Sequence, residues 1–234
     1  MKPRIWIFAL IALIVTGCAK FPTGGPGAFT KRLVFKMTVD GVLRTGLETG
    51  GSGLPYVYVI AINLSTDDVP TTQGPIPIVV PSGNGIVAGD ATHFILWNPL
   101  TSPQYEIYQF RDATLNEYFR TGFPINSTTT QIGSKTLEFE IDLSQLVPAA
   151  DVNNYKSVQV NFLSMNNTNT AGGGRIWDAL GNGNISTEIN SPFTARLNTA
   201  QTYNNSNQGL TEPQGDAIDP DLDIVDWSLE VQIQ

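Results

Sequence analysis

Residues 136–143 read Thr-Leu-Glu-Phe-Glu-Ile-Asp-Leu, with Leu137, Phe139, Ile141 and Leu143 separated by Glu138, Glu140 and Asp142. An apolar period of two puts every hydrophobic side chain on one face of a strand, whereas a helix would need a period near 3.6. The stretch is therefore a strand with one face in a core and the other in water. Leu33, Phe35, Met37 and Val39 repeat the pattern near the start of the chain. Near its end, Val225, Trp227, Leu229, Val231 and Ile233 point inward by the same rule, with Asp226, Ser228, Glu230 and Gln232 outward. Tyr56 to Leu64 (YVYVIAINL) is apolar on both faces, as a central strand would be. His93 to Trp97, Tyr105 to Phe110 and Val158 to Met165 add further strands, the first two joined through Asn98-Pro99 and Ser102-Pro103, which favour turns.

Helical patterning is confined to two short stretches, Ala113 to Phe119 and Leu143 to Val147, the latter ended by Pro148. Some eight to ten strands separated by Gly, Pro and Asn turns predict an all-β fold, an antiparallel β-sandwich with long loops, over residues 30–234 as a single domain. A closed barrel is the alternative. Three long connections, Val69 to Gly89, Asn166 to Ile189 and Ala200 to Ile218, are expected to hold any binding site, since loops of this length are uncommon unless functional or disordered. The Asn-X-Ser/Thr triplets beginning at Asn63, Asn126, Asn166, Asn184 and Asn204 are read as products of a composition rich in Asn, Ser and Thr.

Charged residues make up 15% of the chain, well below the usual share of about 25%. Ahead of the first strand, Lys2 and Arg4 precede an apolar run, Ile5 to Val15, that is too short for a membrane span of about 20 residues. The run ends in Val15-Thr16-Gly17-Cys18, and Cys18 is the chain's single cysteine. An aliphatic residue, two small ones and a cysteine after a basic start resemble the lipobox of bacterial lipoproteins. The resemblance implies that residues 1–17 are a signal peptide and that Cys18 carries fatty acyl chains such as palmitate. It places the protein in the bacterial cell envelope, extracytoplasmic and lipid-anchored. Ala19, rather than aspartate, favours the outer membrane where the cell has one. Residues 18–29, with Pro22, Gly24, Gly25, Pro26 and Gly27, form a flexible tether. Removal of the signal would leave 11 basic against 21 acidic residues, a formal charge of −10 that repels nucleic acid and anionic lipid alike. The membrane is then a partner through the lipid alone, and nucleic acid is no partner.

No catalytic residue is nominated. His93 is the sole histidine and lies in THFILW, so it is expected to pack in or beside the core. No G-x-S-x-G, H-E-x-x-H or C-x-x-C occurs, which removes the usual nucleophilic, zinc and redox arrangements. Glu138 and Glu140 sit on the solvent face of their strand rather than across a cleft. Asp219, Asp221 and Asp223 alternate just before the last strand and are the candidate ligands for calcium, a hard cation that takes oxygen donors. Their spacing matches part of an EF-hand loop, but Ile224 stands where the glycine is required. Trp177, Arg175 and Asp178, beside the glycines Gly172 to Gly174, are the candidate ligand-binding residues: an indole to stack on a sugar ring and polar groups for its hydroxyls.

The succession KTLEFEIDLSQL, VQVNFLSMNNT, WDALG and DIVDWSLEVQ is similar to carbohydrate-binding module family 9 and DOMON-like sandwiches over roughly the C-terminal half. That resemblance implies sugar or haem binding. Met37, His93 and Met165 are the candidate axial ligands, and one histidine on an apolar strand does not make a haem site. The expected function is a non-catalytic envelope lipoprotein whose sandwich binds a glycan or an envelope protein. The alternatives are a carboxylate-based sugar-processing hydrolase or a purely structural assembly factor.

Overall fold

The computed structural model describes residues 31–47, 55–80, 82–167, 175–208 and 212–234. Cys18, the lipobox, the tether and Gly172 to Gly174 lie outside them. The described chain is an antiparallel β-sandwich and not a closed barrel.

One sheet has the order β13 (Gln201–Asn204), β14 (Ile224–Ile233), β1 (Lys31–Val39), β9 (Thr136–Asp142) and β8 (Asn126–Ser127). The other runs β11 (Trp177–Ala179), β10 (Ser157–Met165), β2 (Val57–Ser65), β5 (His93–Trp97), β6 (Tyr105–Phe110) and β7 (Tyr118–Gly122), with β12 (Phe193–Arg196) also on β10. A small pair, β3 (Pro75–Pro77) with β4 (Val87–Gly89), is paired with a strand of neither sheet. The fourteen strands exceed the expected eight to ten because β3, β4, β11 and β13 are short segments inside the three long connections.

The core between the sheets is aromatic. Phe35 of β1 stacks on Phe139 of β9, ring centroids 5.2 Å apart, and meets Phe162 of β10 edge-on at 6.3 Å. Trp227 of β14 is fully buried between Phe162 and Phe193, at 5.7 and 4.6 Å. The one-sided pattern of β1 and β9 thus buries the residues that the alternation selects.

β2 and β10 are buried on both faces because the second sheet is covered twice. Tyr58, Ile60, Ile62, Val158, Val160 and Phe162 face the sandwich core. Val59, Ala61, Leu163 and Met165 face a second cluster, completed by Phe94, Phe110, Leu115 and Val87. His93 is buried, with Nδ1 3.0 Å from Thr92 Oγ1, and burial drives its pKa down to about 4. Met37 and Met165 lie in different clusters, so the three candidate haem ligands serve packing and do not converge.

Two expectations are corrected. Residues 113–119 form no helix: a turn at Leu115, with φ of 55°, leads straight into β7. The aromatic and β-branched content of Tyr118 to Thr121 favours a strand, and pairing with β6 satisfies its backbone. At the start of β14, Thr38 pairs with Asp226 but Val39 with Ile224, an irregularity that skips Val225. Ile224 is therefore fully buried, while Val225 is only half-buried. A bulge of this kind re-aims the residues around it.

Trp227→Ala should cost about 3–5 kcal/mol, the range for truncating a core aromatic. The drop should appear in urea unfolding followed by circular dichroism.

A buried carboxylate cluster beside the Trp177 cleft

β11 is three residues long and forms one edge of the second sheet, pairing Trp177 with Met165 and Asp178 with Ser164. Successive strand residues face opposite sides. Trp177 therefore packs with the second cluster on the outer face, while Asp178 turns inward and is only 4% exposed. Both still border a cleft of about 190 Å³ at this edge, together with Arg175, Asp216 and Ile218. Ile218 stands 90% exposed at its lip. The cleft thus brings together the three residues singled out for ligand binding, but with roles that adjacency in sequence conceals. Arg175 Nη1 donates to the carbonyl oxygens of Gly85 and Ile78 and contacts Met165 Sδ, which ties the loop to its neighbours.

Asp178 belongs to a group of four acids. Its Oδ1 accepts from Ala179 N at 2.9 Å and its Oδ2 from Ile224 N at 2.7 Å, the amide re-aimed by the bulge in β14. Asp223 accepts from Gly215 N at 2.7 Å and Ala217 N at 3.1 Å, closing the acidic loop on itself. Glu212 Oε1 accepts from Gly181 N at 2.6 Å, and Asp216 Oδ2 from Gly183 N at 2.7 Å. Gly181 is needed for this turn. Its φ is +125°, and a Cβ there would stand 1.7 Å from Glu188 O.

One oxygen from each of Asp178, Asp216 and Asp223 lies within 4.8 Å of the others. Burial is the main reason that all the affected acids hold protons tightly. It pushes Asp178 up to about 8 and Glu212 up to about 9, and the neighbouring carboxylates add to both. Asp216 rises to about 6, first through burial and then through its contact with Asp223. None of the five ion pairs among the described residues reaches these four acids.

The three aspartates expected to hold calcium are not brought together. Asp219 accepts from Tyr56 Oη at 2.7 Å and Asp221 N at 3.0 Å. Asp221 is a latch: it is ion-paired to Arg44 Nε and accepts from Val42 N at 2.7 Å. Only Asp223 joins the cluster. Its partners Asp178, Glu212 and Asp216 come from positions up to 45 residues away in sequence. The Asp216-to-Asp223 run was the one local signal, and its alternation drew attention to Asp219 and Asp221 instead.

Other clefts offer less. A hollow of about 300 Å³ is bordered by Asp90 and Asp112, but Asp90 accepts from Gln73 N and Asp112 from Thr114. Glu140 pairs with Arg32, so the Glu138/Glu140 face has no unengaged carboxylate pair. No known protein family, no curated protein and no solved structure matches the chain.

The sign of the pH dependence follows from the raised values. Free Asp and Glu titrate near 4, so between about pH 4 and 9 the folded cluster holds protons that the unfolded chain releases. Stability from these groups is full below pH 4 and is lost as pH rises through 6, 8 and 9. His93 opposes this only below its unfolded value of 6.5, by a single proton. With divalent cations chelated, the urea midpoint should therefore fall steadily from pH 5 to pH 9. Glu212→Gln, which stays neutral and keeps an acceptor for Gly181 N–H, should flatten the profile.

Proposed function

We infer that this protein is a non-catalytic lipoprotein of the bacterial cell envelope, held outside the cytoplasm by lipid on Cys18. Its sandwich binds a glycan through the cleft at Trp177. The observation that carries the binding site is the cleft itself. The half-buried indole, the exposed Ile218, Asp178 and Asp216 all line it, so apolar surface for a sugar ring lies beside polar groups for its hydroxyls. The Cys18 assignment rests on the lipobox. No helix among the described residues is long and apolar enough to cross a membrane.

A binding role is favoured over hydrolysis by the engagement of the acids. Asp178 and Asp223 are 4% and 1% exposed, with both oxygens of each held by backbone amides. A glycosidase pair must instead present its carboxylates to a bond held between them.

Two experiments test this reading. Cys18→Ser should leave the protein unlipidated and release it from a membrane fraction washed in high salt; retention there would remove the anchor. On a glycan array probed with detergent-purified protein, Trp177→Ala should lose binding while its urea midpoint changes little. A stability loss of about 3–5 kcal/mol would instead make Trp177 a packing residue.

A further inference from the structure

The carboxylate cluster has eight oxygens. Six each accept one backbone N–H: both of Asp178, both of Asp223, Oε1 of Glu212 and Oδ2 of Asp216. The remaining two, Glu212 Oε2 and Asp216 Oδ1, are buried without a hydrogen-bond partner. Glu212 as a whole is only 4% exposed, and it interacts electrostatically with Asp178, Asp216 and Asp223 together. A buried carboxylate oxygen with no donor is costly, and several acids sharing one site repel one another. Elsewhere in the same loop the chain meets this problem with a cation of its own, pairing Asp221 with Arg44. At the cluster it supplies none among the described residues.

We propose that Asp178, Asp216 and Asp223, with Glu212 beside them, form a binding site for one calcium ion. It goes beyond the glycan reading and does not depend on it. The donors are all oxygen, which excludes the nitrogen and sulfur sets that select zinc or copper. Calcium takes six to eight oxygens at about 2.3–2.6 Å, so ligands across its shell stand roughly 4.6–5.2 Å apart. The three aspartate oxygens lie within 4.8 Å of one another and fit inside that shell. Magnesium keeps several waters and uses one or two carboxylates, which a buried group of four acids suits poorly. The ion would join β11 to the 212–223 loop at one point. Hydrogen bonds from the backbone N–H groups of Gly181, Gly183 and Ile224 to the same carboxylates already hold those segments, and the 181–183 turn with them.

The test uses the full-length protein in detergent, stripped with EDTA and returned to calcium at neutral pH. Equilibrium dialysis should find one calcium per chain. The melting temperature should rise by roughly 5–10 °C once calcium exceeds its dissociation constant about a hundredfold. Magnesium should give a clearly smaller shift. Asp216→Asn keeps an acceptor for Gly183 N–H but removes the charge, and should abolish both the bound ion and the shift. Asp219→Asn, in the same loop but bonded to Tyr56, should retain both. Should Asp216→Asn fail to fold, Glu212→Gln decides: weakened calcium binding supports the site and unchanged binding overturns it. Wild-type protein that binds no calcium overturns the proposal outright, as does an Asp216→Asn protein that binds like wild type. A magnesium shift equal to calcium's would overturn the choice of ion.

Discussion

Strand β10 cannot face water on either side. All nine of its residues are buried, and β2 beside it is nearly as dry. A sheet with two apolar faces must be covered twice, and that requirement arranges the rest of the molecule. The five-stranded sheet covers one face through Phe35, Phe139 and Trp227. The β3–β4 pair and the turn at Leu115 cover the other. Long connections that would otherwise be free loops are drawn in as a third layer.

Burial of polar groups on β10 explains how that layer is held. Gln159 accepts from Asn63 and Thr72 and donates to Thr72 O at 2.8 Å. Asn161 donates to Pro75 O at 3.0 Å and accepts from Leu180 N at 3.1 Å. Each buried amide finds its partners outside β10, in β2, in β3 or in a loop, as it must to offset its lost hydration. Arg175 does the same from the opposite direction, reaching across to Ile78 and Gly85. At the cluster around Asp178 the accounting is left open on two acids at once. Its acids organise loop amides, as the other polar groups do, yet Glu212 Oε2 and Asp216 Oδ1 are left over, and no ion pair among the described residues reaches them.

The same loop therefore treats its acids in two ways. Asp221 sits by Arg44, whose guanidinium also lies 5.9 Å from the centre of the Tyr56 ring, and Tyr58 Oη donates to the Asp221 carbonyl at 2.8 Å. That half of the loop is neutralised from within and locks onto the start of the second sheet. The other half holds Glu212, Asp216 and Asp223, which no ion pair among the described residues reaches, and its Asp216 borders the cleft.

The two-residue period of β1, β9 and β14 was enough to read an all-β sandwich, because one-sided burial imposes that period on each strand independently of what lies opposite. Both-sided burial of β2 was legible from the opposite signal, an apolar run without alternation, and the burial of His93 and Trp227 from their apolar strand neighbours. Residues 113–119 misled because a short apolar stretch carries no decisive period, and pairing with β6 chose the strand. The bulge that moves Ile224 inward and Val225 aside left no trace in the alternation, since it arises from register with β1. The acids were the hardest to assign. Asp219, Asp221 and Asp223 alternate in sequence, yet folding sends them to Tyr56, Arg44 and the cluster respectively. Asp178 reaches that cluster from strand β11 and Glu212 from a loop, and only the pairing of β11 with β10 and the closure of the 212–223 loop could put them there. Local alternation determines which face a residue takes; which distant residues share that space is settled by tertiary packing.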